Sequence, residues 1–499
     1  MKYNSLLLAS SLISFSASAH DTVLSVSTAA NEAQAYIERI EAFDDAGPRI
    51  NAVISVNPKA PALAREAERK GLPLAGRTVL VKDNIETVEW PTTAGSLALR
   101  NNMTGRDAPL IAKLRASGGV VLGKTNLSEW ANFRSNKSTS GWSAVGGLTR
   151  NPHAIGRNAC GSSAGSGAAV AAGFAWAAIG TETNGSITCP ASVNGIVGFK
   201  PTVGMVSRTH VVPISATQDT AGPMTRDVHD AAMLLNAIAG SDPADAASAD
   251  ADRYANDFTT GLANYSLKGV RIGVMHDRVG SNEGVEALFD QALRDLEAAG
   301  AVVVNVTFDW PDNYGGVAFE AMLFEFHQGI NAYLATLPGE DMPNTLDDLK
   351  AFNTEHAEEE LRWFDQALFK QALTFTNEDA YAKARAKTVH TSGKEGIDLL
   401  LKDYAVEFLI APTTGPAWTT DLVNGDNYNG SIGAGSLPAR AGYPHITVPM
   451  GAVEGLPVGL SIFAGKWQDH AVLKAGAAYE RARTAPLAVP SFKRWTPDK

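Results

Sequence analysis

The stretch Gly156-Arg-Asn-Ala-Cys-Gly-Ser-Ser-Ala-Gly-Ser-Gly167 is followed by an alanine-rich apolar run and then by Gly180-Thr-Glu-Thr-Asn-Gly-Ser-Ile-Thr-Cys-Pro-Ala-Ser192. The small apolar residues from Ser163 to Gly173 predict a buried helix, and Phe174 to Gly180 a short buried strand. A helix of about 11 residues advances roughly 16 Å, and a strand of five or six residues returns roughly 17–20 Å. The chain goes out and comes back. Ser162, at the helix entry, and Ser186, in the glycine-flanked turn after the strand, are thereby placed to meet across 24 positions of sequence.

A third residue belongs with them. Thr78-Val-Leu-Val81 is a short β-type run that delivers Lys82 at its end, where an ordinary lysine would lay its stem along apolar side chains and keep its ammonium in water. An amide is a poor electrophile with a poor leaving group, so a site that cleaves it needs a nucleophile, a base that turns into an acid, and donors for the oxyanion. Ser186 can attack, Ser162 can relay its proton, and Lys82 can take it if burial keeps the amine neutral. The turn Thr183-Asn184-Gly185-Ser186 offers backbone N–H groups to the oxyanion. This chemistry needs no metal or other cofactor, and no clustered His/Cys spacing offers a metal site.

Two other motifs point elsewhere and are rejected. Gly118 to Thr125 fits the phosphate-loop pattern, but its middle residues include Val-Val-Leu, which favour a buried strand, and a helix-like Leu110 to Ser117 precedes it where a strand is required. Gly161-Ser162-Ser163-Ala164-Gly165 fits a nucleophile elbow on Ser163, with His210, His229 or His445 as nominal bases. That elbow must follow a buried strand, whereas Asn151 to Ala159 is rich in turn formers.

The chain has 499 residues, 45% hydrophobic and 19% charged, which is ample for a core. A net charge of −11 without a Lys/Arg cluster excludes nucleic acid and anionic membranes as partners. Residues 1–19, with Lys2, an apolar Leu6 to Phe15 and Ala17-Ser18-Ala19, have the pattern of a cleaved signal. The expected mature chain, residues 20–499, is exported to the periplasm or secreted, has no membrane span, and is a monomer or homodimer. The two cysteines, Cys160 and Cys189, flank the serine pair and are either joined or both buried as thiols.

Thr28 to Phe43 and Pro61 to Lys70 read as helices. So do Gly284 to Gly300, Phe319 to Leu334, Asn344 to Thr354 and Ala357 to Ala372, while Gly269 to Met275 and Ala301 to Val306 read as strands. Glu355 and Glu358 to Glu360 read as a solvated face. Phe324, Phe326, Trp363, Phe364 and Phe369 read first as core and second as the wall of a cleft. The loop Trp418 to Gly435 is expected to be a mobile substrate-facing lid.

Lys82, the Gly161-Ser162-Ser163-x-Gly165-Ser166 loop and Gly185-Ser186-Ile187 with Pro190-Ala191-Ser192 resemble the amidase signature family. The resemblance extends through Gly195 to Thr202 and Asp219 to Met224, and resumes at Ala441 to Pro444 and Gly455 to Leu460. It implies an α/β fold, one large domain with a central mixed β-sheet surrounded by α-helices. It also implies that Ser186 is the nucleophile, Ser162 the cis-serine and Lys82 the base, with Thr183, Asn184, Gly185 and Ser186 forming the oxyanion turn. Lys124 to Asn136 and Ser140 to Ser143 look most like peptide amidases, which release ammonia from C-terminally amidated peptides. Small-molecule aryl or alkyl amides are the alternative substrates. Many relatives carry arginine where this chain has Thr188, so an amidotransferase A-type subunit is the less expected role. Asn184 replaces a glycine of those relatives and puts the backbone of the turn in question.

Overall fold

Thr78-Val-Leu-Val-Lys82 and Ala177-Ala-Ile-Gly-Thr-Glu182 are buried along their whole length, as strands covered on both faces must be. The computed structural model describes residues 28–339, 341–428 and 430–496. The segment read as an export signal lies outside them.

Eleven strands make one mixed sheet: β1 (Val53–Val56), β2 (Thr78–Lys82), β3 (Val120–Thr125), β4 (Ala177–Glu182), β5 (Val197–Lys200), β6 (Thr220–Thr225), β7 (Arg271–Val274), β8 (Val302–Asn305), β9 (Phe408–Pro412), β10 (His445–Val453) and β11 (Leu456–Phe463). Their spatial order is β1-β3-β2-β4-β6-β5-β10-β11-β9-β7-β8. β3, β2 and β4 run parallel, as do β9, β7 and β8, and the strands between these groups pair antiparallel. Alternation along β2 shows both faces covered. Val79 and Val81 join a core with Leu114, Leu234 and Leu235, while Leu80 joins a second core with Ala168, Ala169 and Phe174. Lys82 shares the face of Leu80 and so points toward the helix Ala164–Ala172, whose entry follows Ser162 and Ser163. No helix among the described residues is long and apolar enough to cross a membrane.

Most expected elements are present, with three corrections. The strand expected over Phe174 to Gly180 begins at Ala177, because Phe174 still returns its N–H to Ala169 O at 2.9 Å after the left-handed Gly173. The helix expected from Phe319 starts earlier, at Tyr314. The helix expected over Ala357 to Ala372 is two short pieces, Ala357–Glu360 and Ala367–Ala372. The break has a cause in Glu360, which belongs to no solvated face. It is fully buried, and its Oε1 accepts hydrogen bonds from Ser96 Oγ at 2.9 Å and Leu97 N at 2.6 Å. Glu355, Glu358 and Glu359 are exposed as expected.

Among the aromatics, Phe326 and Phe369 stack in the core, and Phe364 lies under the Arg134 guanidinium at 4.3 Å. Trp363 is half-buried beneath Arg362. Phe324 alone of these five lines a described cavity, one of about 500 Å³ shared with Tyr381 and Pro213. The loop from Trp418 borders another, of about 330 Å³, through Trp418, Asn427, Tyr428 and Ile432. Its middle is fastened: Asp426 accepts from Ser140 N and from Trp418 Nε1, each at 3.1 Å.

Candidate active site

Lys82 ends a strand held between two parallel neighbours, so its backbone is fixed by the sheet. Its Nζ donates to Ser162 Oγ at 2.8 Å, Thr181 Oγ1 at 2.8 Å and Thr181 O at 3.3 Å. Complete burial disfavours the ammonium and lowers its pKa to about 7, against the pull of Asp219 and Glu182. The other buried lysine of this region is different in kind. Lys124 pairs with Asp83 at 3.0 Å and donates to Ile85 O, so the phosphate-loop pattern is a strand with a structural ion pair.

Ser162 follows a tight bend in which Asn158 Oδ1 accepts from Cys160 N at 2.7 Å and Cys160 takes a positive φ of 56°. The Gly161–Ser162 peptide is cis. Ser162 O accepts from Ser128 N at 3.0 Å. A Cβ on Gly161 would lie 2.1 Å from Ser128 Oγ, which explains the glycine beside the serine. Ser163 is spoken for: its Oγ donates to Thr181 O at 3.0 Å and accepts from Thr181 N at 3.2 Å. The elbow reading therefore fails, and neither His210, His229 nor His445 partners it. His445 is buried on Ser461 Oγ, its pKa lowered to about 3 by desolvation.

Ser186 is 8% exposed and arrives at Ser162 through the backbone, since Ser163 N donates to Ser186 O at 3.1 Å. The turn before it is tied from outside. Thr183 Oγ1 donates to Asp219 Oδ1 at 2.6 Å, Gln218 Nε2 donates to Thr183 O at 3.1 Å, and Ser436 Oγ donates to Asn184 Oδ1 at 3.2 Å. Positive φ falls on Gly185, at 85°, and not on Asn184, so asparagine in the preceding position costs the turn nothing. The next two amides are committed, because Glu182 Oε2 accepts from Ile187 N at 2.8 Å and Thr188 N at 3.0 Å. The N–H groups of Asn184, Gly185 and Ser186 have no acceptor among the described residues.

A disulfide joins Cys160 to Cys189 with Cα atoms 6.0 Å apart, which settles the two readings of the cysteines. It ties the segment before Ser162 to the helix after Ser186. By loop-closure entropy a bridge over 29 positions stabilises by about 3.5 kcal/mol. Cys160→Ala/Cys189→Ala is expected to lose about that much in urea unfolding; a loss below about 1 kcal/mol would show that the packing of Ala417 and Trp418 on Cys160 already holds the two segments together.

The amidase family model matches residues 32–473. The chain belongs to the amidase family. It is an amidohydrolase acting on linear amides. A probable amidase of Arabidopsis thaliana is 35% identical over 464 residues, covering 89% of this chain and 85% of the relative. The A-type subunit of glutamyl-tRNA(Gln) amidotransferase from Thermus thermophilus is 34% identical over 473 residues, covering 90% and 93%. Among solved structures, the peptide amidase from Stenotrophomonas maltophilia is 44% identical, with a TM-score of 0.86 over 93% of this chain and 95% of that one.

This amidase's site has members that the sequence reading did not single out. Thr181 completes the surroundings of Lys82 and also accepts from Asn84 Nδ2 at 3.0 Å. Asp219 is half-buried, and besides Thr183 it accepts from Ile214 N at 2.7 Å and Ser215 N at 2.8 Å. Asp219 and Thr181 both lay inside recognisable motifs; the missing signal was their pairing across strands.

Proposed function

We propose that this amidase hydrolyses the C-terminal carboxamide of peptides through an acyl-enzyme on Ser186. The carrying observation is a buried lysine, its pKa brought down to about 7 by desolvation, 2.8 Å from the hydroxyl of Ser162, whose successor in the chain holds the carbonyl of Ser186. In this reading Ser186 Oγ attacks the amide carbon while its proton passes to Ser162 Oγ and that of Ser162 to Lys82 Nζ. The unbonded amides of Asn184, Gly185 and Ser186 receive the oxyanion. The proton returns by the same route to the leaving nitrogen, ammonia departs, and water repeats the sequence on the ester. The amides at 187 and 188 take no part, since Glu182 holds them.

Peptide substrates are supported by the likeness to peptide amidase structures at 44–45% identity. Thr188 adds a second support: its hydroxyl donates to Glu182 at 3.3 Å, and it brings no positive charge to the nucleophile turn. We also propose that residues 1–19 direct export and that the enzyme acts alone. The purified mature chain is expected to release ammonia from a C-terminally amidated dipeptide much faster than from a simple aryl amide, leaving internal peptide bonds intact. A preference for the aryl amide would move the substrate to small-molecule amides and keep the site's roles.

A further inference from the structure

A neutral amine on Lys82 carries two hydrogens and one lone pair, and three oxygens surround it: Ser162 Oγ at 2.8 Å, Thr181 Oγ1 at 2.8 Å and Thr181 O at 3.3 Å. A carbonyl can only accept, so Thr181 O takes one of the hydrogens. The two hydroxyls are left to divide one hydrogen and the lone pair. Lys82 can draw the proton of Ser162 only if the lone pair faces Ser162. If the Thr181 hydroxyl donates to the amine instead, the base is blocked.

The outcome turns on where Thr181 sends its own hydrogen. Its backbone is fixed, because Ser163 Oγ accepts from Thr181 N and donates to Thr181 O. Thr181 Oγ1 also accepts from Asn84 Nδ2 at 3.0 Å, which occupies one of its lone pairs. Apart from Lys82, its hydrogen has no acceptor among the described residues.

A group of the opposite kind lies next to it. Asn84 Oδ1 is buried and accepts from nothing among the described residues. Asn84 and Thr181 line one small cavity of about 10 Å³, which Thr183 and Asp219 also border. That is roughly the room one buried water needs. Of the buried side-chain atoms without a partner, Asn84 Oδ1 alone belongs to a residue that lines a described cavity. We infer that this cavity holds one water, which accepts from Thr181 Oγ1 and donates to Asn84 Oδ1, and that Asn84 is thereby a positioning residue for the proton transfer. Asp219 Oδ1, which accepts from Thr183 alone among the described residues, offers a place for the second hydrogen. With its hydrogen on the water, Thr181 Oγ1 presents a lone pair to Lys82, and the lone pair of the amine is left for Ser162. The inference rests on the reading of Lys82 as the base and on no particular substrate.

A crystal structure of the enzyme is expected to show one water within about 3.2 Å of both Thr181 Oγ1 and Asn84 Oδ1. Asn84→Leu, which fills the cavity and turns the Thr181 hydroxyl onto Lys82, is expected to lower kcat about 10²-fold with KM within about twofold. Adding Thr181→Val removes the misdirected donor, so the double variant is expected to be faster than Asn84→Leu, by about tenfold. A loss through misfolding would be deepened by the second substitution, not rescued. The absence of a water between the two groups, or a double variant no faster than Asn84→Leu, would overturn the inference. The comparison runs equally on a peptide amide or an aryl amide, so failure of the peptide reading does not touch it. Near-wild-type activity in Lys82→Ala would remove the base itself, and the inference with it.

Discussion

Ser186→Ala and Lys82→Ala are each expected to lower kcat on a peptide amide by about 10⁴-fold or more, with circular dichroism unchanged. The first removes the hydroxyl to which the proposed mechanism gives the acyl-enzyme. The second removes the acceptor at the end of the proton route and leaves Ser162 hydrogen-bonded to nothing that can take a proton. The double variant should be scarcely worse than either single one, because the two residues act on one step. The same geometry fixes the sign of the pH dependence. Below about 7 Lys82 holds its proton and cannot act as a base, so kcat/KM should fall tenfold per pH unit on the acid side and level off above that value. Activity within tenfold of wild type in either variant, or a flat profile from pH 5 to 9, would remove Lys82 and Ser186 from the roles given to them.

Arg134→Met should be the most costly change away from the reacting atoms, at about 3–5 kcal/mol in urea unfolding. Arg134 is fully buried. It pairs with Glu129 at 3.1 Å and with Glu360 at 3.7 Å, and it also donates to the Glu360 carbonyl. Removing it strands two carboxyl groups in the interior, and burial already raises the Glu129 carboxyl well above its ordinary range. The effect should reach the site. Glu129 opens a tight segment in which Trp130, Ala131 and Asn132 all have positive φ, and the preceding Ser128 holds the carbonyl of Ser162. A loss below about 1 kcal/mol would mean that the two acids protonate and repack without their cation.

The serine pair was legible because its evidence is local: a run of small residues, a strand and a glycine turn, whose lengths alone return the chain to its start. Lys82 was legible as the end of an apolar strand; its burial and its contact with Ser162 are what the structure adds. Glu360 was not. Within Ala-Glu-Glu-Glu it is indistinguishable from its exposed neighbours, and its partners Ser96 and Arg134 lie 264 and 226 residues away. Asp219 was not legible either, because its bond to Thr183 crosses the gap between two strands. The limits of Phe174 to Gly180 were misread for a simpler reason: apolar residues completing a helix's C-terminal turn look the same as those beginning a strand.

The two sides of this site do not share one local stability. Lys82 sits in an inner strand with ladders on both edges, so its loosening requires the sheet to come apart as a unit. Asn184 is exposed and is steadied from the far helix by one hydroxyl of Ser436. Warming short of the global transition would therefore loosen the turn at Asn184 first, while Lys82 and Ser162 beneath it stayed assembled; on the proposed mechanism, that is a warmed enzyme with a weakened grip and an intact chemical step.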